Sequence, residues 1–249
     1  MKKLKKIDFR VALPNLITIV GLCLGLNSLK LAFEGDFEKA LIFIVLASIL
    51  DALDGRIARL IKGTSKFGAE LDSLTDFVNF GVCPSIILYF WKLNNFGFYG
   101  WLIALIFVVS CCLRLARFNL DVSEKIEKNY WKVNFFTGVP APAGAGLALM
   151  PMIINFSNFN HFVIIEAYLV LLIVLTVSFL MISKIPTYAV KQVKISRNIF
   201  ILIALSVVLF FGFLFKNTFE TLTILGLIYF LSIPISYIHY LSLNKKNAK

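Results

Sequence analysis

The chain has 249 residues, of which 59% are hydrophobic and only 16% are charged, and its mean hydropathy is +0.85. An ordinary soluble domain carries roughly 25% charged residues, so the composition excludes a water-soluble enzyme, and the even spread of apolar residues excludes a disordered chain. The formal net charge is +11, but the basic residues lie between apolar runs, as membrane topology signals do. We expect an integral membrane protein without a nucleic-acid partner.

Apolar runs of about 20 residues, the length that crosses a bilayer core, predict eight transmembrane helices. They cover residues 13–33, 38–60, 68–91, 97–117, 139–155, 163–183, 198–215 and 219–242. The basic start followed by an apolar run resembles a signal peptide, but the run is too long, lacks a small-residue cleavage site and leads into seven further spans. We therefore expect the first span to be retained in an all-α polytopic membrane protein.

The positions of lysine and arginine predict the orientation of these helices, because cytoplasmic loops are enriched in both. With a cytoplasmic N-terminus, 21 of the 25 basic residues fall on the cytoplasmic side, and the other four are Lys30, Lys39, Lys92 and Lys216. We therefore expect a multi-pass protein of the cell membrane with both termini cytoplasmic. The four cysteines lie in apolar runs without a metal-binding spacing and are expected to be core residues.

Four aspartates lie inside predicted spans, where ionisable residues are costly and usually functional. Asp51 and Asp54 are three residues apart and Asp72 and Asp76 are four apart, so each pair occupies one face of its helix near the cytoplasmic end. Carboxylates converging from two antiparallel helices repel unless cations share their charge. Such oxygen ligands suit Mg²⁺, Mn²⁺ or Ca²⁺ rather than zinc or copper. The pattern predicts a divalent-metal site.

A simpler interpretation is that each aspartate caps a helix or pairs with a nearby basic side chain. Small residues next to the aspartates favour the metal site. Gly55 directly follows Asp54, Ala58 lies one turn further on, and Gly68 lies one turn before Asp72. These residues leave room for a ligand to approach the helices.

Together these residues form a specific motif. It reads DxxDGxxAR, eight further residues and then GxxxDxxxD, and its fixed positions are Asp51, Asp54, Gly55, Ala58, Arg59, Gly68, Asp72 and Asp76. The motif resembles the signature of the CDP-alcohol phosphatidyltransferases at every position. Pro14-Asn15-Thr18 opens the first span as in many members of this family. Other segments resemble its phosphatidylserine synthase branch, and they are residues 71–82 with Pro84, residues 114–119, Phe136, Gly138, Pro140 and Pro142. The resemblance covers about residues 12–145.

The resemblance implies a six-helix membrane core with extra C-terminal helices, and a homodimer. On this basis we expect an interfacial segment at residues 1–12, the phosphatidyltransferase core at 13–183, and two additional helices with a basic tail at 184–249.

The implied reaction transfers the phosphatidyl group from CDP-diacylglycerol to the hydroxyl of L-serine and releases CMP. By resemblance, Asp51, Asp54 and Asp72 would hold Mg²⁺ or Mn²⁺, up to two ions, against the pyrophosphate, with Asp76 as a further ligand and as the general base. The residues expected to bind the CDP-lipid are Gly55, Ala58, Arg59 and Gly68.

Serine adds a carboxylate, which a guanidinium group binds well. Arg114 and Arg117 end the fourth span on the cytoplasmic side and are candidate serine ligands, and Asn79 is a further candidate for orienting serine. The alternative role of the two arginines is to anchor the helix or to contact a lipid phosphate.

Two alternative functions stay open. Another acceptor, glycerol 3-phosphate or inositol phosphate, would keep the family. A divalent-cation transporter would also use intramembrane carboxylates, but such carboxylates usually lie near the membrane midplane on broken or repeated helices. The phospholipase D type of phosphatidylserine synthase is excluded, because neither His161 nor His239 is followed by lysine two residues later.

Overall fold

The structure is a computed structural model that describes residues 9–123, 135–162, 165–188, 212–214 and 216–247. Helices dominate these residues, in the order α1 (Phe9–Phe33), α2 (Phe37–Leu60), α3 (Lys66–Asp76), a π-helical segment (Phe77–Val82), α4 (Cys83–Trp91), α5 (Phe98–Ser123), α6 (Ala141–Phe156), α7 (Ala167–Ile182) and α8 (Thr218–Asn247). Two short strands, β1 (Phe135–Thr137) and β2 (Pro186–Tyr188), lie before α6 and after α7. The chain divides into two compact units between Arg117 and Phe118.

In the first unit, α1 packs along α2 and also contacts α3 and α4. A tight turn at Gly35, whose φ of 82° favours glycine, joins α1 to α2. Asp36 caps α2 by accepting a hydrogen bond from the backbone N–H of Lys39 at 3.1 Å. The side-chain hydrogen bond from Lys39 lowers the pKa of the Asp36 carboxyl.

The connection from α2 to α3 is five residues long and brings the two aspartate pairs together. Ser65 caps α3 by accepting a hydrogen bond from the Gly68 N–H at 2.9 Å. Gly63 is buried against the backbone carbonyl of Arg10, where a Cβ atom would overlap that oxygen. The short, capped turn keeps both helices against α1 and brings the carboxylates of Asp51, Asp72 and Asp76 within 4.8 Å of one another.

Residues 66–91 form one continuous helical span in which the π-helical segment directly follows Asp76. Pro84 lies in the first turn of α4. Proline lacks a backbone N–H and clashes with the preceding turn of an α-helix, and a π turn is one way in which a helix accommodates it. The sequence predicted this span at 68–91 but did not predict its π-helical turn.

In the second unit, α6 packs against α7 and α8. β1 and β2 pair antiparallel, with Phe135 opposite Tyr188. Thr187 Oγ1 donates a hydrogen bond to the Gly138 carbonyl at 2.9 Å, which joins the end of the sheet to the start of α6. β1 lies between the predicted spans 97–117 and 139–155, and the sequence did not predict the sheet.

Within the described ranges, four helical stretches are long and apolar enough to cross a membrane, namely Phe9–Phe33, Lys66–Trp91, Phe98–Asp121 and Thr218–Asn244. α6 and α7 are shorter apolar helices of 16 residues each. α2 has 24 residues but carries four charged residues in its last ten positions. Seven of the eight predicted spans therefore coincide with helices, and most of the seventh, 198–215, lies outside the described residues. The predicted all-α, multi-pass membrane architecture is confirmed.

Candidate active site

Three aspartates from two helices meet between α2 and α3. One carboxylate oxygen each of Asp51, Asp72 and Asp76 lies within 4.8 Å of the other two, and all three side chains are half-buried. Asp51 and Asp76 are close enough for a direct hydrogen bond between their carboxyl groups. Two ionised carboxylates at that separation repel unless a cation or a proton lies between them.

Asp54, the fourth predicted ligand, lies outside this group of three. Its side chain is only 3% exposed and points to α1, where Thr18 Oγ1 donates a hydrogen bond to Asp54 Oδ2 at 2.5 Å. The same hydroxyl lies 3.1 Å from the Pro14 carbonyl oxygen. The sequence did not predict this contact of Thr18. A hydroxyl inside a predicted span, in the Pro14-Asn15-Thr18 segment, could have indicated that Thr18 has a polar partner.

A cleft of about 210 Å³ opens beside the carboxylates. All four residues predicted to bind the CDP-lipid line it, together with two of the aspartates. The lining residues are Pro14, Asn15, Thr18, Asp54, Gly55, Ala58, Arg59, Gly63, Thr64, Ser65, Gly68, Ala69 and Asp72. Asp72 thus belongs both to the cleft wall and to the carboxylate group, so a ligand in the cleft lies next to the candidate metal site.

The glycines of the cleft have different roles. A Cβ atom at Gly68 would lie 2.8 Å from Asn15 Oδ1 and 3.1 Å from Ser65 Oγ, so glycine allows α1 to approach α3 closely. A Cβ atom at Gly55 would meet only the Arg59 guanidinium, at 3.9 Å. The absence of a side chain at Gly55 therefore leaves open space beside a guanidinium group, which suits a bound phosphate.

Each aspartate of α3 interacts electrostatically with one arginine. Arg59 of α2 interacts with Asp72, and Arg114 of α5 with Asp76. Arg114 is only 7% exposed, whereas Arg59 is exposed at the cleft. Four carboxylates and two guanidinium groups leave two more formal negative charges than positive ones, which one divalent cation balances.

None of the three residues predicted to contact serine lines this cleft, and two of them are placed differently from Arg114. Arg117 lies three residues further along α5 and is half-buried. Asn79 is fully buried in the π-helical segment, and its side chain lies against Gly25 of α1 rather than on the cleft wall.

The donor atoms suit a hard divalent cation. All of them are carboxylate oxygens, which Mg²⁺, Mn²⁺ and Ca²⁺ prefer. Asp54 Oδ1 and Asp76 Oδ1 are buried and accept no hydrogen bond from the described residues. Buried acceptors without partners are rare in proteins, and binding an ion is one way in which such atoms are satisfied. The residues present therefore fit the predicted metal.

Comparisons with known proteins agree with this site. The family model for CDP-alcohol phosphatidyltransferases matches residues 11–177. A Helicobacter pylori protein named CDP-diacylglycerol–serine O-phosphatidyltransferase is 37% identical over 217 residues, which are 85% of this chain and 84% of that protein.

Proteins of the same name from Mycobacterium tuberculosis and Bacillus subtilis are also similar to the chain. The mycobacterial protein is 44% identical over 133 residues, 53% of this chain, and the aligned region spans about half, 46%, of that relative's length. The Bacillus protein is 35% identical over 144 residues, 57% of this chain and 77% of the relative. The extent of the family match, together with the Helicobacter alignment over most of both proteins, shows that the chain belongs to the CDP-alcohol phosphatidyltransferase family.

Proposed function

We propose that the protein transfers the phosphatidyl group of CDP-diacylglycerol to the hydroxyl of L-serine and releases CMP. The observation that carries this proposal is the position of Asp72, which lies both in the carboxylate group and in the cleft formed by Gly55, Ala58, Arg59 and Gly68. The names of the three relatives support serine as the acceptor. The family match over residues 11–177 supports a membrane core close to the proposed 13–183.

In this proposal Asp76 is the general base. A serine hydroxyl is a weak nucleophile, so a carboxylate within hydrogen-bond reach must accept its proton as it attacks. A bond forms between the serine oxygen and the lipid-side phosphorus while the bond from that phosphorus to the CMP oxygen breaks. The proton passes to Asp76, whose buried Oδ1 accepts no hydrogen bond from the described residues.

Asp51, Asp72 and Asp76 would hold a divalent cation, and Asp54 would complete the set on the side of the cleft. We propose Mg²⁺ or Mn²⁺, with up to two ions bound. Such a cation neutralises negative charge on the transferred phosphoryl group and on the departing CMP. Thr18 keeps the Asp54 carboxylate turned towards the cleft through its 2.5 Å hydrogen bond.

The cleft binds the nucleotide end of the lipid in this proposal. Arg59 contacts the pyrophosphate, and Gly55, Ala58 and Gly68 leave space for the nucleotide. Arg114, buried beside Asp76, binds the serine carboxylate so that the hydroxyl faces the base. Arg117, one turn further along α5, is the second candidate for this contact.

We also propose that the cleft and both termini face the cytoplasm of the cell, and that the protein is a homodimer in the cell membrane. The distribution of lysine and arginine supports the orientation. The dimer rests on the family resemblance and is checked by the mass of the purified protein in detergent, measured by light scattering.

Purified protein with CDP-diacylglycerol and Mn²⁺ or Mg²⁺ is expected to release CMP only when L-serine is present. Asp76→Asn should lower the rate at least about 100-fold, because it removes the base. Asp36→Asn is the matched control, since asparagine caps a helix as well as aspartate, and it should keep the wild-type rate. CMP release that depends on glycerol 3-phosphate or inositol phosphate would show that serine is not the acceptor. If folded protein released no CMP with any of these acceptors, the proposal would be wrong.

Thr18→Val is expected to lower kcat/KM for CDP-diacylglycerol by about 10- to 100-fold, because a residue that orients a metal ligand typically has an effect of that size. The change removes the hydroxyl that donates to Asp54 and keeps the branched shape of the side chain. Thr176→Val is the control, since Thr176 is exposed and donates to the Leu172 carbonyl within its own helix. Equal kcat/KM values for the wild type and Thr18→Val would show that the hydrogen bond from Thr18 to Asp54 does not contribute to activity.

Arg114→Ala is expected to raise the KM for serine at least about tenfold, because a hydrogen bond to a charged group contributes about 1.5–3 kcal/mol. The KM for CDP-diacylglycerol should change much less, while kcat also falls since Arg114 neighbours Asp76. Arg56→Ala, at an exposed arginine that does not line the cleft, should leave both KM values unchanged. Equal increases in the two KM values for Arg114→Ala would count against a serine contact.

Cysteine labelling tests the orientation. In a cysteine-free background, Asn95→Cys in the α4–α5 connection should react with a membrane-impermeant maleimide in intact cells. Lys66→Cys at the start of α3 should react only after the membrane is permeabilised. Both positions are exposed in the structure, so the opposite labelling pattern would reverse the proposed topology.

A further inference from the structure

Asn79 is a buried polar residue with no hydrogen-bond partner among the residues that the structure describes. Its side chain is 0% exposed, and neither its Oδ1 nor its Nδ2 atom forms a hydrogen bond with the described residues. An apolar side chain would fill the same space without the cost of burying an amide. A buried polar group of this kind therefore needs a specific explanation. Asn79 lies three residues after Asp76, in the π-helical segment.

The amide of Asn79 packs against α1 at Gly21 and Gly25, two residues that lack side chains. A Cβ atom at Gly25 would overlap Asn79 Oδ1, whereas one at Gly21 would lie 4.0 Å from Asn79 Nδ2. The same point at Gly21 lies 3.8 Å from the Ala47 carbonyl oxygen of α2. Asn79 therefore lies where α1 and α2 meet the π-helical segment, and Ala47 is one helical turn from Asp51.

Close contacts lie on two sides of the π-helical segment. On one side, Cys83 Sγ, directly after the segment, donates a hydrogen bond to the Gly25 carbonyl of α1 at 3.3 Å. On the other side, a Cβ atom at Gly81 would lie 3.1 Å from both Cβ and Sγ of Cys111 in α5. These contacts connect directly to the backbone, so the segment has little freedom to rotate.

We propose that Asn79 is a positioning residue for Asp76. Seated between Gly21 and Gly25, its amide sets the rotation of the helix at the turn after Asp76 and thereby the distance from the Asp76 carboxylate to Asp51. Side-chain ends lie about 5 Å from a helix axis, so a rotation of about 10° moves the carboxylate by about 1 Å. A displacement of that size can lower a rate about 100-fold. The inference rests on the proposed role of Asp76 as a metal ligand and base.

Four variants in the full-length protein test this role, namely Asn79→Ala, Gly25→Ala, the double variant G25A/N79A, and the control Gly21→Ala. Gly25→Ala adds a methyl group that overlaps the amide, while the same methyl at Gly21 meets only contacts of 3.8–4.0 Å. Three quantities are measured on detergent-purified protein: Mn²⁺ affinity by electron paramagnetic resonance without substrates, the midpoint of thermal unfolding, and kcat for CMP release.

Asn79→Ala and Gly25→Ala are expected to weaken Mn²⁺ binding and to lower kcat by about 10- to 100-fold, the range seen when support for a metal ligand is lost. Gly21→Ala should match the wild type in all three measurements. The double variant removes the overlap, so its unfolding midpoint should return towards the wild-type value. Its Mn²⁺ affinity and kcat should stay at the level of Asn79→Ala, because the amide that sets the rotation is missing.

Recovery of wild-type Mn²⁺ affinity and kcat in the double variant would overturn the proposal, because it would show that Asn79 only fills space. Wild-type values in Asn79→Ala alone would do the same. If the acceptor is not serine, the comparison of Mn²⁺ affinities still applies, because that measurement contains no substrate. The kcat values are then measured with the acceptor that supports CMP release. Wild-type protein that binds no Mn²⁺ would overturn both this inference and the metal site.

Discussion

Repulsion between carboxylates is the constraint on which the rest of this structure depends. Two unit charges about 4.8 Å apart repel by about 3.5 kcal/mol at an effective dielectric constant of about 20, and Asp51, Asp72 and Asp76 form three such pairs. The fold must hold the carboxylates together against this force whenever neither a cation nor a proton lies between them. It does so with backbone features, since the α2–α3 connection is short and Ser65 caps α3.

Small residues provide the rest of the restraint. At Gly68 and Gly25, α1 approaches the helix that carries Asp72 and Asp76 so closely that a methyl group would overlap a side-chain oxygen. Helices in membranes associate through such close packing, because the surrounding lipid is as apolar as their side chains. A different glycine, Gly55, leaves the cleft open beside Arg59. Tight helix packing and open space at the guanidinium group therefore depend on different missing side chains.

Local spacing made much of this site predictable. The intervals between the aspartates place each pair on one helix face, and all four predicted lipid-binding residues line one cleft. Spacing could not show that Asp54 turns away from the other three, because its partner Thr18 lies 36 residues earlier in the chain. The π-helical turn was not predicted, because one extra residue in a single turn produces no periodic pattern of apolar residues. The strands β1 and β2 were not predicted, because three residues are too few to show an alternation of apolar and polar side chains.

The packing at the inner end of the site favours the proposed transferase over a transporter. At 1.5 Å per residue, Asp54 and Asp72 lie about 9 Å from the ends of their helices, Asp51 lies about 14 Å from the end of α2, and Asp76 lies about 15 Å from the start of α3. Beyond Asp76 the helix continues with Asn79, Phe80, Cys83 and Ile87, all 0% exposed, so this side of the site is closed by packed side chains. Transport needs a second opening, whereas a transferase can admit both substrates and release CMP through one mouth. In the proposed reaction, a closed end also keeps bulk water away from the phosphorus under attack, which favours serine over water as the acceptor.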